Sequence, residues 1–408
     1  QVTDKAGNTW RTPSFRNPDD GYEWYGTLIE PTADQLSKTL PTWHVFISRH
    51  GADNIKWQNS TIAYWYSKEW PYGIRCGIFD SQTSNYYDNV RIDVRGNTTV
   101  DIVGSAGGTK LSHGLKFSKV HPMQCTDPFS GEQITVRKTS LLAELQDPSN
   151  IRSDLSMHLR RLAGQEVPFG YPVRVQMNGS FYQLDHHTNR FTDEYLTDYL
   201  GYDEEGYAFK NVGTFGGDKD TGGNPTKVLP DDGNEDDISL LDAFESQMYG
   251  NDRQSVHLNH RLVPGSTNAV VRLYDLPYWV NFLALSRLTQ ECDDDTSTLN
   301  LYYDINGTGT WRPLAYDLHQ SFGVFYADTD TSKNKNGLIA DLDDKKGHPF
   351  HGGLHAPENY SMGNRAYEGI YQTAKFRRLL VRRLRTLMDE ILKEPGTSQE
   401  DTPFWKDY

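Results

Sequence analysis

The order of apolar and polar positions divides the chain into a strand-like first third, a mixed middle and a largely helical last part. Thr42–Ser48 (TWHVFIS) reads as a strand, and β-type patterns continue through residues 62–79 and Val90–Val94. Turn clusters at Ser84-Asn85, Gly96-Asn97 and Gly107-Gly108 separate short strands across 81–120. Pro31–Leu40 predicts a short helix. Asp147-Pro-Ser-Asn150 has helix-start chemistry, and apolar residues then recur at Ile151, Leu155, Leu159 and Leu162 before Gly164 ends the stripe. Tyr171–Met177 alternates, Asn178-Gly179 predicts a two-residue hairpin turn, and Ser180–Leu184 returns. Asp193–Tyr199 predicts a short amphipathic helix. Residues 211–238 read as a long polar surface loop, with its acidic run (Asp231, Asp232, Glu235, Asp236, Asp237) facing solvent.

Further on, Leu276–Leu288 predicts a strongly apolar helix, and Leu299–Asp304 with Trp311–Asp317 predicts a hairpin turning at Asn306-Gly307. After a polar, Gly-rich stretch at 327–364, Ala366–Lys393 predicts the longest helix. Phe376, Leu379, Leu380, Leu384, Leu387 and Ile391 share one face of it; Arg377, Arg378, Arg382, Arg383 and Arg385 lie mostly elsewhere and read as a solvated or carboxylate-pairing face. Strands first and helices later predict an α+β fold.

At 408 residues the chain exceeds what one core comfortably fills (roughly 250–300 residues), so one large elaborated domain or two intimate lobes are expected. The expected division is an N-terminal extension at 1–39, a domain at 40–393 with lobes at 40–235 and 236–393, and a tail at 394–408. A net charge of −14 argues against nucleic acid or an anionic membrane as the main partner. No apolar run is long enough to span a bilayer.

Five N-x-[ST] sequons, at Asn59, Asn97, Asn178, Asn306 and Asn359, and a polar start at Gln1 point to a secreted, glycosylated chain. Cys76, Cys125 and Cys292 lack zinc-ligand spacing; in an oxidising compartment Cys76 and Cys125 could pair as one disulfide, and the other reading is that all three are small buried apolar residues. His186 and His187 read as partly exposed strand-end residues.

Chemistry concentrates between Asn281 and Gly323. An apolar helix runs into Asp293-Asp294-Asp295, Asn300 follows, and a hairpin delivers Asp317 ahead of Phe322-Gly323. Phosphoryl transfer needs one carboxylate to orient the acceptor hydroxyl, and a carboxamide with a second carboxylate to hold magnesium on the nucleotide. Protein kinases space an Asp, an Asn five positions later and a metal-binding Asp on the next hairpin in this manner. No acid pair stands out for glycoside hydrolysis.

The whole segment resembles the CotH spore-coat kinase family. RPLAYDLHQSFG stands where the family has a strand ending in a Trp-Asp-Leu-Asp type motif followed by Phe-Gly. VRIDVRGNTT, TKLSHGLKF, SNIRSDLSMHLRRLAG, VRVQMNGSFYQL, DEYL, GYAFK and FRRLLVRRLRTLMDEIL resemble further family segments in the same order, over about residues 40–393.

The resemblance implies a two-lobed atypical protein-kinase-like fold using magnesium and ATP, with a protein substrate or neighbouring coat or filament subunits as partner. It implies Asp295 or its neighbour Asp294 as the catalytic carboxylate, Asn300 and Asp317 as metal ligands, and Lys110, Lys116 or Lys210 on the phosphates. Lys116 sits on a strand beside the Gly-rich turn 104–108. Three positions depart from the pattern, one of them Tyr316, which stands where the motif has Trp. His319 replaces the motif's second Asp, and Asn189 stands near a position where a Glu is common. A catalytically degenerate structural or adhesive module is the alternative these departures leave open.

Overall fold

The computed structural model describes residues 2–3, 9–10, 40–47, 74–96, 110–145, 147, 149–212, 225–249, 266–291, 294, 299–322 and 364–406. These residues form two compact units, Gln1–Ile151 with Phe169–Arg190, and Arg152–Pro168 with Phe191–Tyr408. Residues 152–168 and 191–235, grouped by sequence with the first lobe, fall in the second unit. Pro31–Leu40 (apart from Leu40), most of 62–79, Gly104–Gly108 and Cys292 lie outside the described residues.

In the first unit, β1 (Val2–Thr3) and β2 (Thr9–Trp10) form a small ladder. The main element is a closed barrel of β3 (Thr42–Ile47), β4 (Ile74–Asp80), β5 (Asn85–Arg95), β6 (Ser112–Lys116), β9 (Lys138–Leu142), β10 (Gly170–Met177) and β11 (Ser180–Asn189). β7 (Met123–Thr126) and β8 (Gln133–Val136) form a separate hairpin. All neighbouring barrel strands are antiparallel except β3 and β10, whose parallel pairing closes the ring, Thr42 opposite Arg174 and Val45 opposite Met177. Asn178 pins this seam: its carboxamide accepts from Ile47 N at 3.0 Å and donates to Ile47 O at 2.8 Å. The β10–β11 turn is Asn178-Gly179 as expected, both at positive φ (49° and 82°), the left-handed geometry a two-residue hairpin demands.

The buried apolar side chains of the barrel include Trp43, Ile78, Val90, Leu115 and Val173. His186 and His187 are fully buried within β11, which corrects the strand-end expectation. The His187 ring centroid lies 4.4 Å from that of Trp43, 5.1 Å from Phe169 and 5.0 Å from Tyr171. Burial depresses its basicity, so it packs as a neutral aromatic ring. Cys76 and Cys125 are both free and buried, so the disulfide between them is not formed. Burial pushes the Cys76 thiol up to about 12.

The second unit combines a four-stranded antiparallel sheet with helices. Its sheet runs β13 (Thr226–Leu229), β12 (Tyr207–Lys210), β14 (Asn300–Tyr303), β15 (Trp311–Leu314). β13 lies inside the stretch read from sequence as an unbroken loop; the alternation in Thr-Lys-Val-Leu was too short to stand out. The helices are α1 (Arg152–Leu162), α2 (Ser239–Tyr249), α3 (Ser266–Leu273), α4 (Leu276–Leu288), α5 (Arg365–Tyr371), α6 (Ala374–Leu387) and α7 (Pro403–Lys406). The single helix expected over Ala366–Lys393 is interrupted at Gln372-Thr373 and ends in a wider π-type turn at Met388–Leu392. Apolar periodicity continued across the break and hid it.

Asp275 starts α4 by accepting from Tyr278 N, with Pro277 in the first turn where its missing N–H costs nothing. Trp279 then donates to the Trp311 carbonyl at 2.8 Å, fixing helix to sheet. The core around this contact gathers Phe209, Phe244, Trp279, Phe282, Trp311, Tyr367 and Leu380.

Candidate functional site

In the first unit, chemistry gathers around Lys110, just ahead of β6. Its ammonium donates to Asn150 Oδ1 at 2.7 Å. Burial draws it below the ordinary lysine range, and the negative charges of Asp185, Glu144 and Asp147 oppose that shift. Asp185 is itself buried on β11. Desolvation pushes its carboxyl up to about 7, against a 2.7 Å hydrogen bond from Gln183 and the charge of Lys110. Its Oδ2 is buried without a hydrogen-bond partner. Asp147 builds the neighbouring turn by accepting from the backbone of Ser149 and Ile151, which leads the chain towards α1.

Of the three candidate lysines, Lys110 lies among the carboxylates Asp185, Glu144 and Asp147. Lys116 is exposed at the far end of β6, level with Arg91 and Lys138. Lys210 ends β12 in the second unit. Asn189 is buried and closes the hairpin base by accepting from Phe169 N at 3.1 Å. Only long-range pairing distinguishes Lys110: Asn150 is 40 positions away in sequence.

In the second unit, β14 and β15 position the other candidates. Asn300 opens β14, buried, and its Oδ1 accepts from Asn211 N at 3.1 Å. It lies opposite Leu314, the last residue of β15, three positions before Asp317. Asn300 and Asp317 therefore sit at the same end of the hairpin. Asp317 adopts a left-handed backbone (φ 61°, ψ 61°), a conformation Asp tolerates better than most residues and one that recurs at functional sites. Its side chain is 34% exposed, and His319 Nδ1 meets Oδ1 at 2.8 Å.

Asp294, after α4, is anchored by buried partners. Arg287 holds Asp294 Oδ1 at 3.0 Å in a pair buried on both sides, and Tyr367 donates to the Asp294 carbonyl at 2.9 Å. Arg160, fully buried, donates to Gln165 and to Ser286. Asp293 and Asp295 lie outside the described residues. None of Glu291, Arg160 and Arg287 is marked out by the sequence motifs; an arginine in the otherwise apolar helix Leu276–Leu288 is the available signal for Arg287.

Glu291 is buried and accepts from Ser321 Oγ at 2.5 Å. Burial first, then the negative charge of Asp294, pushes its carboxyl up to about 7 from an ordinary 4.5. Because the folded chain holds this proton more tightly, the associated stability is complete below about pH 4.5 and is lost as pH rises through about 7. Glu291→Gln keeps an acceptor for Ser321 and should flatten that part of the profile of thermal midpoint against pH. An unchanged slope would assign the dependence to other groups.

Among the described residues, no three His, Cys, Asp or Glu side chains form a ready-made metal cluster. The donors at the hairpin end are oxygens, one of them on an accessible carboxylate. That set suits a hard divalent cation completed by nucleotide phosphate and water. A sequence profile of the family described as CotH kinase protein matches residues 92–400. No curated protein matches the chain.

Proposed function

We propose that this chain, which belongs to the CotH kinase family, transfers a phosphoryl group from magnesium-ATP to Ser or Thr hydroxyls of an extracellular or coat protein. In this reading Lys110 contacts the phosphates, its charge kept by Asp185, Glu144 and Asp147. Asn300 and Asp317 hold magnesium, which neutralises charge developing on the phosphates when bound. Asp295 or Asp294 orients the acceptor hydroxyl and takes its proton.

The observation that carries the reading is the hairpin register. It sets a carboxamide and, three positions past the last pair, an accessible carboxylate at one end of β14 and β15. Incubation with magnesium-ATP should raise the thermal midpoint, and ATP without magnesium should raise it less. No shift at millimolar magnesium-ATP would sink the proposal.

One observation favours a second reading, a degenerate module serving assembly into a coat, sheath or filament. His319 already engages one oxygen of Asp317, in a motif where the resemblance expects an Asp. Under that reading the native chain ignores nucleotide, and His319→Asp restores a magnesium-dependent shift.

Secretion and glycosylation belong to the same proposal, supported by the five sequons. Of these, Asn178 and Asn306 are described and exposed, while Asn59, Asn97 and Asn359 lie outside the described residues. Asn306 donates both amide hydrogens, to Asp203 and Glu205, so a glycan there replaces one surface hydrogen bond. A native mass of the bare 46.5 kDa chain would count against it. No helix among the described residues is long and apolar enough to cross a membrane.

A further inference from the structure

The two faces of α6 differ sharply. Phe376, Leu380 and Leu387 are buried, whereas Arg377, Arg378, Val381, Arg382 and Arg385 point outward and are exposed. Of these four arginines, Arg385 is paired with Asp389 one turn on. Arg377, Arg378 and Arg382 have no acidic partner among the described residues, although the chain carries 55 acidic against 41 basic side chains. A local basic stripe on an acidic chain is the reverse of what average composition would scatter there. Arg383 shows the contrast, since it turns to the interior and donates to Asn281 Oδ1 and the Ala163 carbonyl.

We propose that this outer face of α6 is a docking surface for an acidic protein segment carrying an apolar anchor. The inference is independent of the kinase reading. Three features set the ligand chemistry. First, the cations that line the depression are all arginine, whose planar fork matches carboxylates with two parallel hydrogen bonds, unlike the point charge of lysine. Second, Val381 stands at 50% exposure among them, an apolar contact that a bare polyanion would leave unused. A depression of about 680 Å³ lies against this face, lined by Val381 and the four arginines among others. Third, the stripe is short. Arg377 to Arg385 spans about 12 Å of helix, and Asp389 and Glu390 close its C-terminal end with opposite charge.

A nucleic acid or sulfated glycan would run beyond the stripe onto those acids and into the field of a chain with net charge −14. A short peptide feels only the charges within about 8–10 Å.

The test uses the full chain and a fluorescein-labelled, Glu-rich peptide of about twelve residues with one central Leu, read by fluorescence anisotropy. Binding should weaken with salt, and should fall at least tenfold when the Glu residues become Gln. Combined Arg377→Gln, Arg378→Gln and Arg382→Gln should reduce affinity at least tenfold with unchanged circular dichroism. If that variant misfolds, Arg378→Gln alone should still weaken binding several-fold. Val381→Ser should weaken the peptide further. No binding by the native chain at low salt would overturn the proposal. So would binding that ignores these substitutions, or equal or tighter binding of an oligonucleotide or heparin fragment of similar length.

Discussion

Substituting Asp317 with Asn is expected to lower magnesium-dependent phosphoryl transfer by on the order of a hundredfold or more, with the thermal midpoint nearly unchanged. A bound divalent cation supplies several kcal/mol of charge stabilisation, and each 1.36 kcal/mol is a factor of ten. Asn is the cleaner replacement because it shares Asp's tolerance for the left-handed backbone seen here (φ 61°). Asp317→Ala should abolish transfer equally but adds a backbone penalty of about 1–2 kcal/mol. The two variants together separate loss of charge from loss of conformation. Phosphate incorporation into a Ser-rich acceptor, alongside thermal melting, provides the measurement. Full activity in Asp317→Asn would remove this residue from the site.

The largest expected effect on stability is at Arg287. Its pair with Asp294 is buried on both sides, so Arg287→Met strands a carboxylate away from water and should cost about 3–5 kcal/mol. Adding Asp294→Asn should recover much of that, because the uncompensated charge disappears. Denaturant unfolding of the single and double variants measures this directly. If Arg287→Met alone is mild, the pair is looser than the 3.0 Å contact implies. Asp294→Asn also bears on the site. Transfer that survives it leaves the hydroxyl-orienting role to Asp295.

The parts of this molecule legible in the sequence were those fixed by neighbours along the chain. The Asn178-Gly179 hairpin, α1, α4 and the pairing of β14 with β15 all followed from local periodicity and turn chemistry. The rest depended on long-range partners. Nothing near Lys110 marks it out until β11 brings Asp185 alongside. Nothing near His187 reveals that Trp43, Phe169 and Tyr171 enclose it. The acidic triplet stands out by its charge, but Arg287, which pairs with Asp294, reads as an ordinary helix residue. The matched family span begins at residue 92, within β5, so β3, β4 and most of β5 precede it.

The parallel seam between β3 and β10 has a consequence for biosynthesis. Its two strands lie about 130 positions apart, as the contact between Ile47 and Asn178 shows (separation 131). During translation β3 and β4 emerge early and must wait, with one edge of backbone N–H and C=O groups open, until β10 leaves the ribosome. Such distant closure is slow and leaves a strand edge available for wrong pairing. A nascent chain released before Gly170 would hold every strand from β3 to β9 yet remain an open sheet, because β10 and β11 are both needed to join β3 to β9, and the β10–β11 turn, among the last parts of the barrel to be made, is the one that latches the first strand.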